Sequence, residues 1–136
     1  MQSEIGIIVA THGRLAECLV ETAELLLQRP CRLTPFTFLA DEEPQAASRK
    51  LQALAKRCDQ GAGVIILADL FGGTPGNLAL SLLDDAALEV VTGVNLPMVL
   101  AADGLNPQLS LEEATAALEQ AGRSAIKGAG LLLRSG

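Results

Sequence analysis

His12 is the only histidine in the 136-residue chain, and it follows an apolar, β-branched run directly into the turn Thr11-His12-Gly13-Arg14. A neutral imidazole is nucleophilic near neutral pH, because its reference pKa is about 6.5. A carboxylate on one ring nitrogen fixes the tautomer and leaves the lone pair of the other free to attack. Asp69, which ends a second apolar run, is placed to be that carboxylate. Beyond it, Gly72 and Gly73 allow close backbone approach, and Thr74 stands where a helix begins. Free N–H groups and the positive dipole end at such a start suit an incoming phosphoryl group. Each feature alone has a plainer explanation: a satisfied structural histidine, a turn-capping aspartate, a tight glycine loop. Only a fold that brings both segments to one crevice makes them a site.

Richer chemistries lack their usual residues. There is no GxxxxGK[ST] loop and no GxGxxG to cradle a nucleotide. A single histidine with no clustered cysteines gives no zinc ligand set, so neither a metal nor a cofactor is expected. The serines lack the G-x-S-x-G context of a nucleophile elbow.

The elements that must position His12 and Asp69 read as alternating strands and helices. Ile5 to Ala10 is a continuous apolar run, as in a strand covered on both faces. Leu15, Leu19, Thr22 and Leu26 recur at helical spacing, with Pro30 beyond the helix end. Leu33 to Leu39 predicts a second strand, and Pro35, which cannot donate to a ladder, places it at a sheet edge. Ala47, Leu51, Leu54 and Cys58 mark a second helix closed by Gly61 and Gly63, and Gly63 to Leu70 is the most apolar strand. Thr74 as N-cap with Pro75 at the first helical position opens a third helix. Glu89 to Thr92 is a short fourth strand, followed by Gly93-Val94-Asn95-Leu96-Pro97. Ser110 and Glu113 form a capping box for a last helix, stopped by Gly122. The tail, Ser124 to Arg134, has no clear period and is assigned as an extra edge strand, with a helix extension or frayed end as the alternative.

This pattern predicts an α/β doubly wound, mainly parallel sheet of order 2-1-3-4 with helices on both faces. In such a sheet the chain turns opposite ways after the first and third strands. The loops bearing His12 and Asp69 then face each other at the carboxyl edge.

Composition is compatible. Residues 1–136 suffice for a single domain with its own core, and apolar residues make up 49% against 19% charged. Aromatics are only 2%, so the core must be aliphatic. A net charge of −6 with few aromatics argues against nucleic acid. No apolar run reaches the length of a membrane span, so no direct membrane insertion is expected. Cys18, Cys31 and Cys58 form no CxxC pair and are expected as buried free thiols in a reducing cytoplasm.

At three segments the chain resembles the IIA component of mannose-type sugar phosphotransferase systems. They are Ile8-Val9-Ala10-Thr11-His12-Gly13, Asp69-Leu70-Phe71-Gly72-Gly73-Thr74-Pro75 and Gly93-Val94-Asn95-Leu96-Pro97-Met98. The resemblance implies a cytoplasmic homodimer with an edge strand exchanged between subunits. It implies a phosphotransferase role, in which His12 takes a phosphoryl group from the phosphocarrier HPr and gives it to a IIB component. Asp69 carries over as the residue on the other imidazole nitrogen. Thr11, Gly72, Gly73 and Thr74 match loop positions around the phosphoryl group, and Asn95 matches the third motif in a supporting role. Because no IIB domain follows within these residues, the IIB partner is expected on a separate protein. The alternatives are a regulatory module of an incomplete system whose phosphorylation state is sensed by a partner, and the phosphotransfer subunit of dihydroxyacetone kinase.

Overall fold

Apolar residues on both faces of a strand require cover on both faces, and the central strands have it. The computed structural model describes residues 4–70, 74–83 and 87–135. Its elements run β1 (Gly6–His12), α1 (Leu15–Leu27), β2 (Thr34–Phe38), α2 (Pro44–Cys58), β3 (Val64–Ala68), α3 (Thr74–Leu80), β4 (Leu88–Thr92), α4 (Leu96–Asp103), α5 (Leu111–Ser124) and α6 (Ala129–Arg134). The strands form one parallel sheet of order β2-β1-β3-β4. Ile7, Val9, Ile65, Leu67 and Val91 point to one face, into a core closed by α1, α4 and α5. Ile8, Ala10, Val64, Ile66 and Leu88 point to the other, against Leu51 and Ala55 of α2 and Ala79 of α3. Each of the Ile, Leu and Val side chains contributes about 1.5–3 kcal/mol on burial, so the two central strands anchor the domain.

Pro35 lies on β2, opposite Val9 at the sheet edge, where its missing N–H costs no ladder bond. β1 runs two residues further than the apolar run indicated, pairing His12 with Phe38. The ladder continues one step more, from the Gly13 N–H to the Phe38 carbonyl at 3.0 Å. Gly13 has φ +53, a left-handed conformation that glycine adopts without penalty and that turns the chain into α1.

Four features depart from the sequence reading. Leu96–Asp103 is a helix, capped by the Asn95 side chain on the Met98 N–H at 3.0 Å. It carries apolar residues on all sides and so shows no one-sided stripe. Gly122 does not stop α5, which continues to Ser124. Its missing side chain instead admits α4, since a Cβ there would stand 2.6 Å from Met98 Cε. The tail forms α6 rather than a strand, and Ile126, Leu131, Leu132 and Leu133 are 55–81% exposed. Gly128 and Gly130 weaken strand formation there, and within the single chain no strand among the described residues pairs with the outer edge of β4. The three cysteines are free, but Cys18 is exposed and the other two only partly buried.

Candidate functional site

The reversal of winding between β1 and β3 puts their carboxyl ends side by side. β1 and β3 pair from Gly6 opposite Val64 to Ala10 opposite Ala68. His12 lies two residues past the last pair and Asp69 one residue past it. The two meet as the spacing predicts. His12 Nδ1 is 2.9 Å from Asp69 Oδ2, and the His12 backbone N–H donates to the same oxygen at 3.1 Å. The other carboxylate oxygen accepts the Leu70 N–H at 3.0 Å.

Burial on its own pushes the Asp69 carboxyl up. The hydrogen bonds from the His12 ring and from its backbone outweigh that, and the pKa lies below the ordinary carboxyl value. Asp69 is therefore ionised at neutral pH and can only accept. In the neutral imidazole Nδ1 must then carry the proton, which leaves the lone pair on Nε2. The carboxylate is largely covered, at 12% exposed, while the imidazole stands 46% exposed. A fixed, solvent-facing nucleophile on an open sheet edge suits a reacting group brought by another macromolecule.

The other expected site residues fall differently. Thr11 is fully buried. Its hydroxyl accepts the Ala16 N–H at 2.7 Å and donates to the His12 carbonyl at 3.2 Å. It fastens the start of α1 to the end of β1. Gly72 and Gly73 lie outside the described residues. Thr74 is the first residue of α3 and partly buried. Asn95 caps α4 and donates through Nδ2 to the Gly122 carbonyl at 3.1 Å, a supporting position between α4 and α5.

Arg14 was visible in the sequence only as a loop residue. Its Nε donates to Glu17 Oε2 at 3.1 Å, and the other Glu17 oxygen accepts the Thr37 hydroxyl at 3.1 Å. This chain ties the turn after His12 to the edge strand β2.

With this geometry in view, the comparisons with known proteins are decisive. A family model described as PTS system fructose IIA component matches residues 6–119. The chain belongs to this IIA family. It is 30% identical over 110 residues to the PTS system fructose-specific EIIA component of Bacillus subtilis (strain 168), covering 80% of this chain and 75% of that protein. It is 35% identical over 127 residues to the PTS system mannose-specific EIIAB component of Escherichia coli (strain K12), covering 90% of this chain. The chain spans 39% of that longer relative. Among solved structures it superposes on the mannose/sorbose specific IIA subunit of the phosphotransferase system from Enterococcus faecalis with a TM-score of 0.83 and 29% identity, covering 92% and 94% of the two chains. This mannose-type IIA component thus has the all-parallel 2-1-3-4 sheet expected from its sequence. No helix among the described residues is long and apolar enough to cross a membrane.

Proposed function

We propose that this IIA component is a phosphohistidine carrier that accepts a phosphoryl group from phospho-HPr on Nε2 of His12 and passes it to a IIB component. The observation that supports this most directly is the 2.9 Å contact between His12 Nδ1 and an ionised Asp69, which leaves Nε2 as the free nitrogen. In the transfer, the Nε2 lone pair forms a bond to phosphorus as the donor's P–N bond breaks, and the donor imidazole takes back that electron pair. The Nδ1 proton stays on the ring, and Asp69 stabilises the positive charge that develops there. Donation to the acceptor runs the same steps in reverse at Nε2.

The surroundings fit a protein donor. Leu15, Leu39 and Leu70 are 45%, 52% and 58% exposed, each within three residues of His12, of its ladder partner Phe38, or of Asp69. Apolar side chains around an exposed nucleophile suit contact with a protein surface. On this reading the protein works in the cytoplasm as a homodimer. The named relatives act in mannose, fructose and sorbose systems, so no single sugar is assigned. Thr11 holds the His12 turn in place, and Thr74, at the start of α3, is the described residue proposed to meet the phosphoryl group.

The test is incubation of the purified chain with HPr, its kinase and labelled phosphoenolpyruvate. An acid-labile, base-stable label that vanishes in His12→Ala supports the proposal. Acid-stable label that persists in that variant overturns it.

A further inference from the structure

A phosphoryl group on His12 would bring up to two negative charges to an edge that is already acidic. The described loops at the carboxyl edge of the sheet, residues 11–14, 39–43, 69–70 and 93–95, contain Asp41, Glu42, Glu43 and Asp69. Glu17 adds a carboxylate from the first turn of α1. Within those loops Arg14 is the only lysine or arginine. Lys50, on α2, is paired with Glu42 at 2.5 Å. The chain as a whole carries −6. Coulomb repulsion therefore opposes phosphorylation unless a cation close to the ring offsets it.

Arg14 is built for that role. It stands two residues after His12, past the tight turn at Gly13, and its side chain is 74% exposed. Among the described residues only its Nε is engaged, by Glu17, and Glu17 is itself held by Thr37. The two terminal nitrogens make no hydrogen bond among the described residues. A guanidinium tethered along one edge, with its fork open, matches the oxygens of a phosphoryl group.

We infer that Arg14 is the phosphoryl-binding residue of this site, held beside His12 by the Glu17–Thr37 pair and turned onto the phosphoryl oxygens once His12 is modified. This rests on the proposed phosphorylation of His12 and adds a residue that the nitrogen geometry alone does not require.

The test uses phosphoramidate as a chemical donor, so that no partner protein is involved. Its P–N bond breaks, ammonia leaves and the phosphoryl group bonds to the imidazole. The ³¹P resonance of the phosphorylated full-length chain is then followed against pH at low ionic strength. With Arg14 present the dianion is favoured. In Arg14→Gln the second phosphoryl ionisation should rise by about half a unit, the scale of an exposed ion pair. Phosphorylation by phosphoramidate should slow by about fivefold, and Arg14→Lys should fall between the two. A titration that Arg14→Gln leaves unmoved overturns the inference while leaving His12 as the acceptor. If wild-type protein gains no phosphohistidine from either phosphoramidate or phospho-HPr, the functional reading fails and the inference falls with it.

Discussion

One oxygen of Asp69 receives both N–H groups of His12, the backbone amide at 3.1 Å and ring Nδ1 at 2.9 Å. The same carboxylate thereby sets where the residue sits and which way its ring faces. Asp69→Asn should keep the fold, because an amide oxygen can still accept, but it cannot stabilise positive charge on the ring. Phosphotransfer should fall by about 10²-fold. Stopped kinetic assays with phospho-HPr check this, and unchanged rates would remove Asp69 from the mechanism.

Gly76 should not tolerate a side chain. Helix propensity favours alanine over glycine by about 1 kcal/mol, yet a Cβ at Gly76 would collide with the Leu70 carbonyl oxygen. That atom is backbone, on the turn that carries Asp69, and cannot step aside cheaply. Sterics should win. We expect Gly76→Ala to lose about 1–3 kcal/mol and to slow His12 phosphorylation. Urea denaturation compared with labelling rate checks it, and a stabilised, fully active variant would refute it.

Thr11→Val preserves shape but leaves the Ala16 N–H without its 2.7 Å partner in a buried setting. The expected cost is about 1–2 kcal/mol. Thermal melts give the stability, and nitrogen NMR of the His12 ring shows whether loosening of the turn reaches the nucleophile.

Asp103 predicts a pH dependence away from the site. Its carboxylate is 1% exposed, bonded by Arg29 at 2.6 Å and by the Arg32 N–H at 3.0 Å. Burial pushes its pKa up, but the Arg29 hydrogen bond, the Arg32 backbone and the charges of both arginines bring it below the ordinary value. A depressed carboxyl pKa stabilises the fold above the unfolded value of about 3.9, and that contribution fades as pH falls through the folded value. Asp103→Ala should cost about 2 kcal/mol at neutral pH. The gap to wild type should close in acid, and a gap that stays constant with pH would contradict the assignment.

Deleting residues 124–136 tests the proposed dimer. The leucines of α6 are exposed in the single chain, and the outer edge of β4 has no strand against it among the described residues. If the tail covers an edge in a neighbouring subunit, truncation should weaken association in light scattering at micromolar concentration. A truncated dimer indistinguishable from the full chain rules this out.

The sheet was legible because two-sided burial leaves continuous apolar runs, as in Ile7–Ala10 and Val64–Ala68, and because Pro35 excludes a central place for β2. The His12–Asp69 pair followed from strand order alone. Helix α4 was not legible, since Leu96 to Ala102 is apolar all round and offers no stripe to count. Gly122 read as a stop because the sequence cannot show that Met98 packs onto it. Thr11 and Arg14 were opaque for a related reason: spacing places a backbone but does not tell which way a side chain at a strand end will turn. The inward hydroxyl and the Glu17 tether are both decided by tertiary neighbours.

The two site residues extend the two innermost strands, and this links the nucleophile to the most protected part of the molecule. Amides in the β1–β3 ladder can exchange with solvent only when the central sheet opens, which requires nearly global unfolding. The His12–Asp69 contact sits just beyond the last pair of that ladder, so it cannot outlast the sheet that brings the two residues together. On heating, the ability to form phosphohistidine should therefore hold nearly level and then be lost together with the sheet, in a single cooperative step.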